Sequence, residues 1–510
     1  MSIQQRVQPV STEDQMASDV KVSRDGQKGD DSASLVYNII DGQPVVLPSS
    51  ANFPVVSART DEVVHYGQTV TAALAARAVD VAATTFRSYR GTPVHERRRM
   101  LLCAAELFEQ KADAMGVIQM QETSCDEAWA RFTAMQTSTF CREVAGAVSA
   151  AVVGDIQPSY FGYTHLVFKE PVGPILLIPP WNAAVVLCVR GIANALAAGC
   201  TVVLKASELC PATHQLVART FHEAGFPPGA VNVIMADRPA AAVVTETVIA
   251  HPALRKVEFI GSSAVGKMIG MLAARYLKPV FMELGDQSPA IVLDDADLEQ
   301  AARLVAHGAT FHHGQVCFST ERIIVQKAVR QEFCSLLAAA IDRLAPKWMA
   351  VTKGHAERAK AVVDDAVTRG AHFVYGSSEL GGPAMLAPSI LVDVDPSSLM
   401  SNGEAFAPTA FLVEVDTEEE AVEEANSRVG GLSAAVFTRS QERGLRLARE
   451  LEFGMVQVNN STIFAEPSGA ATNFKGSGWG SNNGKYGIEN FLYCKSVSLV
   501  PCENKKPTNS

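Results

Sequence analysis

Three side chains in this sequence have the types and settings that chemistry at a carbonyl needs. Cys317 lies in FHHGQVCFSTERIIV, 311–325, after a short polar approach containing Gly314 and just before the β-branched run Ile323-Ile324-Val325. A cysteine at a loop-to-strand junction is held rigidly yet stays within reach of substrate, which suits a nucleophile. Taken alone, such a residue is more often a small buried hydrophobe. Glu283 interrupts the apolar strand pattern VFMELG, 280–285. A carboxylate there faces either solvent on an edge or a cavity; half-buried, it has a raised pKa and can act as a general base near neutrality. Asn182 closes the turn Pro180-Trp181-Asn182. Asn favours turns for local reasons, but its amide is also a donor for an oxyanion.

The elements that must position these groups can be read from 172 onward. Short apolar strands (175–178, 201–204, 231–235, 256–260) alternate with helices (185–198, 211–224, 243–250, 265–275). This alternation predicts an α/β fold with a parallel, helix-covered sheet, whose ligands bind beyond the carboxyl ends of the strands. Two strand-end turns are of interest there. Lys205-Ala206-Ser207-Glu208 places Lys205 and Glu208 where they can bind the hydroxyls of an adenosine ribose, or form a solvated surface pair. Gly261-Ser262-Ser263-Ala264-Val265-Gly266 follows a strand and opens a helix, so a pyrophosphate could approach its amides; it is not G-x-G-x-x-G, and a plain helix start fits it equally. Upstream, helices are expected over 70–89, 93–111, 112–127 and 128–153, and a strand over 160–171. Residues 1–35 are polar and rich in Ser, Asp, Gln and Gly, the composition of a disordered tail.

Composition narrows the function classes. A chain of 510 residues exceeds one ordinary core, so two or three domains are expected. A net charge of −10 without a basic run disfavours nucleic acid and anionic membranes as partners. Ten irregularly spaced cysteines make neither a disulfide framework nor a Cys/His metal site, so no metal is expected and reduced thiols in the cytoplasm fit best. The first 35 residues lack a signal-peptide apolar core and carry acids that a mitochondrial presequence avoids. The longest apolar stretch, 171–204, is broken by prolines, Asn182 and Arg190, so no membrane span is expected.

A set of short motifs then falls in a fixed order: Pro180-Trp181-Asn182, Lys205-Ala206-Ser207-Glu208, Phe259 to Gly266, Met282-Glu283-Leu284-Gly285, Gly314-Gln315-Val316-Cys317, Glu404-Ala405-Phe406-Ala407-Pro408 and Gly476-Ser477-Gly478-Trp479-Gly480. With this set the chain resembles the NAD(P)-dependent aldehyde dehydrogenase superfamily over about 36–499. The resemblance implies that Cys317 attacks an aldehyde carbonyl, with the Asn182 amide and the Cys317 backbone N–H stabilising the oxyanion. Oxidation leaves a thioester, and Glu283 activates water to release the acid. Members that pass the acyl group to coenzyme A generally lack this carboxylate, so hydrolysis is implied. The cofactor is NAD, with NADP open: Glu208 would repel a 2′-phosphate and Lys205 would tolerate one. Lys205 and Glu208 would hold the adenosine ribose, Ser262 and the Trp181 backbone the pyrophosphate, and Glu404 the nicotinamide ribose beside Phe406. Ile178, Pro179, Ser207, Gly261, Gly266 and Leu284 complete the implied cofactor contacts.

The same resemblance implies a Rossmann-like cofactor domain over 36–158 and 172–285, an α/β catalytic domain over 286–470, and a small β oligomerisation arm combining 159–171 with 485–500. Phe491, Tyr493, Val497 and Leu499 fall at alternating positions of that arm. Its unpaired edge implies a homodimer or homotetramer. Gly-Gln-x-Cys followed by an apolar residue and Ser-Thr-Glu-Arg is similar to the branch that oxidises aromatic aldehydes of the benzaldehyde, salicylaldehyde and vanillin types, with aliphatic or polyketide-derived aldehydes as rivals. Phe318, Phe464 and Trp479 are candidates to line an apolar tunnel, and equally to be core. Two departures stand out: the family's Glu-Leu-Gly-Gly-Lys reads Glu283-Leu284-Gly285-Asp286-Gln287, so Asp286 would raise the Glu283 pKa if close, and the usual Pro-Phe-Gly-Gly reads Ala470-Ala471-Thr472-Asn473. A catalytically weak homologue with a binding or structural role is the second hypothesis, since fold does not guarantee function. The joint presence of Cys317, Glu283 and Asn182 favours the enzyme.

Overall fold

The computed structural model describes residues 34–345 and 349–500. The expected tail falls, up to residue 33, outside the described residues. Eight strands form the first sheet, in the order Gly478–Trp479, Val280–Leu284, Lys256–Gly261, Pro174–Ile178, Thr201–Lys205, Val231–Ile234, Asn38–Ile40 and Gln43–Val45. Its central strands, from Val280–Leu284 to Val231–Ile234, are all parallel. They read as near-continuous apolar runs such as PILLI and VNVI because helices cover both faces. One face packs Ala184–Ala198 and Pro211–Glu223; the other packs Ala72–Tyr89, Ala241–Ala250 and Ser263–Arg275. Ala184–Ala198 is buried along its whole length, as a helix that is apolar all round must be. Phe281 and Met282 anchor the strand that carries Glu283 from opposite faces, and full burial of each contributes roughly 1.5–3 kcal/mol.

The second sheet has seven strands, in the order His372–Gly376, Ser389–Val392, Thr409–Val415, Thr320–Gln326, Ser288–Val292, Ser433–Phe437 and Met455–Val458. All but the first are parallel to their neighbours. A third sheet pairs Leu492–Leu499, Thr164–Pro171 and Asp155–Gln157 antiparallel.

Local chemistry moved several expected boundaries. The helix expected over 112–127 ends at Thr123, because Ser124 takes a left-handed φ of 57° and Asp126 then caps the next helix, accepting from Trp129 N at 2.7 Å. The segment 485–500 is not extended throughout. Gly484–Glu489 is a helix, and the strand begins only at Leu492. Ile488 and Phe491, three residues apart, both reach the core, so Phe491 lies under the Lys256 ammonium rather than on the arm.

Candidate active site

Cys317 sits in the turn before Thr320–Gln326, and the approach to it is strained. His312, His313 and Gly314 all have left-handed φ, at 51°, 59° and 67°. Gly314 is required, since a Cβ there would lie 2.1 Å from the Ala407 carbonyl oxygen. Each histidine stores on the order of 1–3 kcal/mol in such a conformation. The His312 ring offsets part of this by stacking on Trp129 at 4.3 Å and 4°. Burial pushes the His312 pKa down to about 3 and that of His313 to about 4, so both rings are neutral.

The turn delivers the Cys317 thiol to Glu283. Its S–H donates to Glu283 Oε1 at 3.8 Å, and the other oxygen, Oε2, accepts from Arg190 Nη2 at 2.5 Å. Both members of this ion pair are buried. Burial, then the nearby Glu283 and Glu404 carboxylates, push the thiol well above its ordinary pKa, while Arg190 and the Cys317 backbone N–H pull it down. The resting group is therefore a thiol with a carboxylate beside it to take the proton. Arg190 was read in the sequence only as an interruption of an apolar run; a cation in a helix that is otherwise buried and apolar was the available signal. Asp286 does not approach this pair. It is buried and accepts from Leu432 N and Gln287 N, at 2.9 and 2.7 Å, so its carboxylate ties two chain segments together.

Asn182 is fixed from two sides. Its backbone carbonyl accepts from Trp129 Nε1 at 2.8 Å, and its Nδ2 donates to the Gln315 carbonyl at 2.9 Å. Gln315 is itself held, since its Nε2 donates to the His312 and Met349 carbonyls and its Oε1 accepts from Val351 N. An Asn amide has two N–H groups, so one remains for a ligand on the Cys317 side.

Two cavities meet here, and Asn182, Leu187, Glu283 and Cys317 line both. The first, of about 450 Å³, is walled by Trp129, Phe132, Phe140, Phe311, Phe318 and Phe464 with Leu304, Val316 and Ile463. Phe318 and Phe464 are thus where expected. Trp479 is not: it lies half-exposed at a sheet edge, and its Nε1 donates to the Val280 carbonyl at 2.7 Å. Among the described residues the only charged groups lining this cavity are Arg190 and Glu283, which pair with each other.

The second cavity opens at the carboxyl ends of the parallel strands and brings Trp181, Gly261, Ser262, Glu404 and Phe406 together with the reactive trio. His355 and Arg358, not singled out in the sequence, line it too. The rings of Phe406 and His355 meet Trp181 edge-on at 5.7 and 5.3 Å. Glu321 holds the Glu404 loop by accepting from the Ala405 and Phe406 amides, both at 2.9 Å. Ile178, Pro179, Lys205, Ser207 and Glu208 lie outside the walls of this cavity, at or just beyond the ends of neighbouring strands. Gly266 and Leu284 pack together, as a Cβ on Gly266 would stand 2.5 Å from Leu284 Cδ2. That contact brings the start of helix Ser263–Arg275 down onto the strand ends. Lys205 is buried at the end of Thr201–Lys205, and burial lowers its pKa against the opposing pull of Glu208.

These residues fit a dinucleotide. Glu404 Oε1 is buried with no hydrogen-bond partner, an acceptor in want of hydroxyls. Gly285 leaves room beside it, since a Cβ there would stand 1.9 Å from Glu404 Oε2. Ser262 caps the helix that opens onto the cleft, where backbone N–H groups and the helix dipole favour a pyrophosphate.

A parallel α/β sheet with a strand-end dinucleotide cleft, meeting an apolar cavity at a thiol, defines an oxidoreductase that works through a cysteine. The chain belongs to the aldehyde dehydrogenase family, whose model matches residues 46–497. It is 39% identical over 432 residues to the vanillin dehydrogenase of Pseudomonas fluorescens, covering 83% of this chain and 89% of that one. It is 36% identical over 361 residues to the mitochondrial succinate-semialdehyde dehydrogenase of Arabidopsis thaliana, covering 68% and 67%. Its fold matches the crystal structure of a salicylaldehyde dehydrogenase from Pseudomonas putida G7 complexed with salicylaldehyde, with a TM-score of 0.88 and 30% identity over 93% of this chain and all of that one. The protein is an NAD(P)-dependent enzyme that oxidises aldehydes to carboxylic acids.

Proposed function

We propose that this enzyme oxidises an uncharged aromatic aldehyde to its acid through covalent intermediates on Cys317. One observation carries this reading: a cavity walled by aromatic rings, with its sole cation committed to Glu283, ends at the Cys317 thiol. A semialdehyde bearing a carboxylate would have to be desolvated there without a free cation, a cost no pair repays. The aromatic relatives therefore fit this cavity better than the succinate-semialdehyde relative.

In the proposed mechanism Glu283 Oε1 takes the Cys317 proton and the thiolate adds to the carbonyl carbon. The second N–H of the Asn182 amide and the Cys317 backbone N–H hold the resulting oxyanion. When bound, NAD(P)+ supplies the two-electron acceptor for that carbon. Glu283 passes the thiol proton to solvent and, oriented by Arg190, removes a proton from the water that attacks the thioester; the departing Cys317 thiolate takes that proton back as the acid is released. Glu404 and Phe406 hold the nicotinamide end of the cofactor, Ser262 and Trp181 the pyrophosphate, and Lys205, Ser207 and Glu208 the adenosine end, with Ile178, Pro179, Gly261, Gly266 and Leu284 shaping the cleft. Glu208 favours NAD.

A cofactor domain, a catalytic domain and an arm are the proposed division of labour, with the arm formed by the three-stranded sheet. Tyr160, Phe161 and Ile156 are largely exposed on or beside that sheet, which supports its burial in a homodimer or homotetramer. All nine described cysteines are free, in keeping with the cytoplasm. No helix among the described residues is long and apolar enough to cross a membrane.

The test is NADH formation, followed by absorbance, with benzaldehyde, hydroxylated benzaldehydes and succinic semialdehyde, for wild type and Cys317→Ala. The aromatic substrates should win by at least tenfold in kcat/KM, the equivalent of about 1.4 kcal/mol. Equal rates from both proteins, or a preference for succinic semialdehyde, would sink the reading.

A further inference from the structure

A second buried carboxylate lies behind the active site and has no part in the mechanism above. Glu258 is 1% exposed, two positions along its strand from Lys256, and its Oε1 has no hydrogen-bond partner. The strand register pairs Glu258 with Phe281 and Ile260 with Glu283, so Glu258 and Glu283 project from the same face of adjoining strands. Helix Ala184–Ala198 lies over that face, and a Cβ on Gly191 would stand 3.1 Å from Glu258 Oε1. The next residue back is Arg190, which already pairs with Glu283. With its amide turned so that oxygen faces the guanidinium, Asn482 accepts from Arg190 Nε and Nη2 at 3.2 Å each.

We propose that Glu258 is a positioning residue for Glu283 in both half-reactions: it shares Arg190 with Glu283 and takes up the guanidinium charge when Glu283 holds a proton, first from Cys317 and then from the attacking water. At rest Arg190 pairs with Glu283, and a proton on Glu258 keeps a second carboxylate charge out of the same pocket. Once Glu283 is protonated, Arg190 would be a buried cation with no anion beside it, which is strongly unfavourable. Glu258 then gives its own proton to solvent past Lys256, whose side chain is part-exposed at the end of the same strand, and the cluster stays neutral. Each time one proton arrives on Glu283 and one leaves Glu258, so the charge balances. Burial holds the Glu258 pKa up to about 7 and Glu283 adds to this, while Arg190 and Lys256 oppose it; Cys188 is the remaining titratable group facing it. A group with that pKa gains and loses its proton readily at neutral pH.

This inference rests on the proposed thioester chemistry, and the test separates the two. 4-Nitrophenyl benzoate acylates a thiol without cofactor, so a burst of nitrophenolate reports acylation and the slow phase reports hydrolysis. Glu258→Gln should slow the burst and the slow phase about tenfold each, because Arg190 loses its alternative partner in both, and erase the inflection near pH 7. Glu258→Asp should restore an inflection, at lower pH than in wild type, and it carries the test alone if the Gln variant does not fold. An unchanged slow phase and pH profile in Glu258→Gln, or an inflection at the same pH in Glu258→Asp and wild type, overturns the proposal. Rates that fall in step with a lowered melting temperature also overturn it, because that marks general damage. An equal burst from Cys317→Ala and wild type sinks the thioester reading and this proposal with it.

Discussion

Asn182→Ala isolates one donor in the proposed oxyanion site. In the native structure the amide is held between Trp129, through the backbone carbonyl, and the Gln315 carbonyl, through Nδ2. Truncation keeps the first contact and removes the second. The Gln315 carbonyl then lacks one buried partner, which costs about 1–3 kcal/mol of stability. The catalytic loss is separate. A preorganised donor aimed at a developing oxyanion is worth about 2.7–4 kcal/mol, so kcat should fall by roughly 10²–10³. KM should change little, because the ground-state carbonyl gains far less from that donor than the oxyanion does. The assay is stopped-flow NADH formation in a single turnover, with circular dichroism melting as the control for folding. A variant that folds, binds cofactor and loses less than about threefold in the burst rate would refute Asn182 as an oxyanion donor, since even one weak donor is worth more.

Further outcomes follow from the same geometry. Arg190→Met leaves Glu283 as an unpaired buried carboxylate and should destabilise the fold by about 3–5 kcal/mol, read as a lower denaturant midpoint. Glu404→Gln keeps the shape but halves the acceptor capacity facing the cleft; NAD binding by calorimetry should weaken about tenfold, and an unchanged Kd would remove Glu404 from the ribose site. His214 and His312 have folded pKa values depressed to about 3. The stability they lend is complete above about pH 6.5 and is lost as pH falls toward 3, so an acid titration followed by circular dichroism should show stability declining across that window. The Cys317 thiol, pushed up by burial, should be alkylated by iodoacetamide at a rate still rising above pH 9, whereas a plateau below pH 8 would mean a preformed thiolate.

How far the sequence could be read varies with the range of the interaction. The central strands of the first sheet and the helices between them were legible to within about two residues, because an apolar run bounded by Gly or Pro is a local signal. Gly199, with φ at 96°, ends the helix Ala184–Ala198 as a glycine after such a run should. The chain ends were less legible. The helical spacing of Ile488 and Phe491 overlaps the alternation that begins at Tyr493, and periodicity alone cannot say where one gives way to the other. Trp479 was misread for a similar reason. A large aromatic ring suits a tunnel wall or a core, but Gly478 and Trp479 pair with Glu283 and Met282 as an antiparallel edge, which turns the indole outward to the Val280 carbonyl.

The site divides along the same line. Cys317, Glu283 and Asn182 could be named because each stands in a short motif. Nothing local couples Glu283 to Arg190, which lie 93 residues apart in sequence and 2.5 Å apart in space. Asp286 makes the point from the other side. Its proximity in sequence suggested an electrostatic neighbour for Glu283, yet the residues point apart, and Asp286 spends its carboxylate on amides 146 residues away. A strand carries successive side chains to opposite faces, and the break after Leu284 sends the chain into the second sheet. What decides the setting of the base is therefore which side chains share its sheet face. By that criterion the neighbours of Glu283 are Glu258, on the same face, and Arg190, on the helix that lies over it, and Asp286 is not one of them.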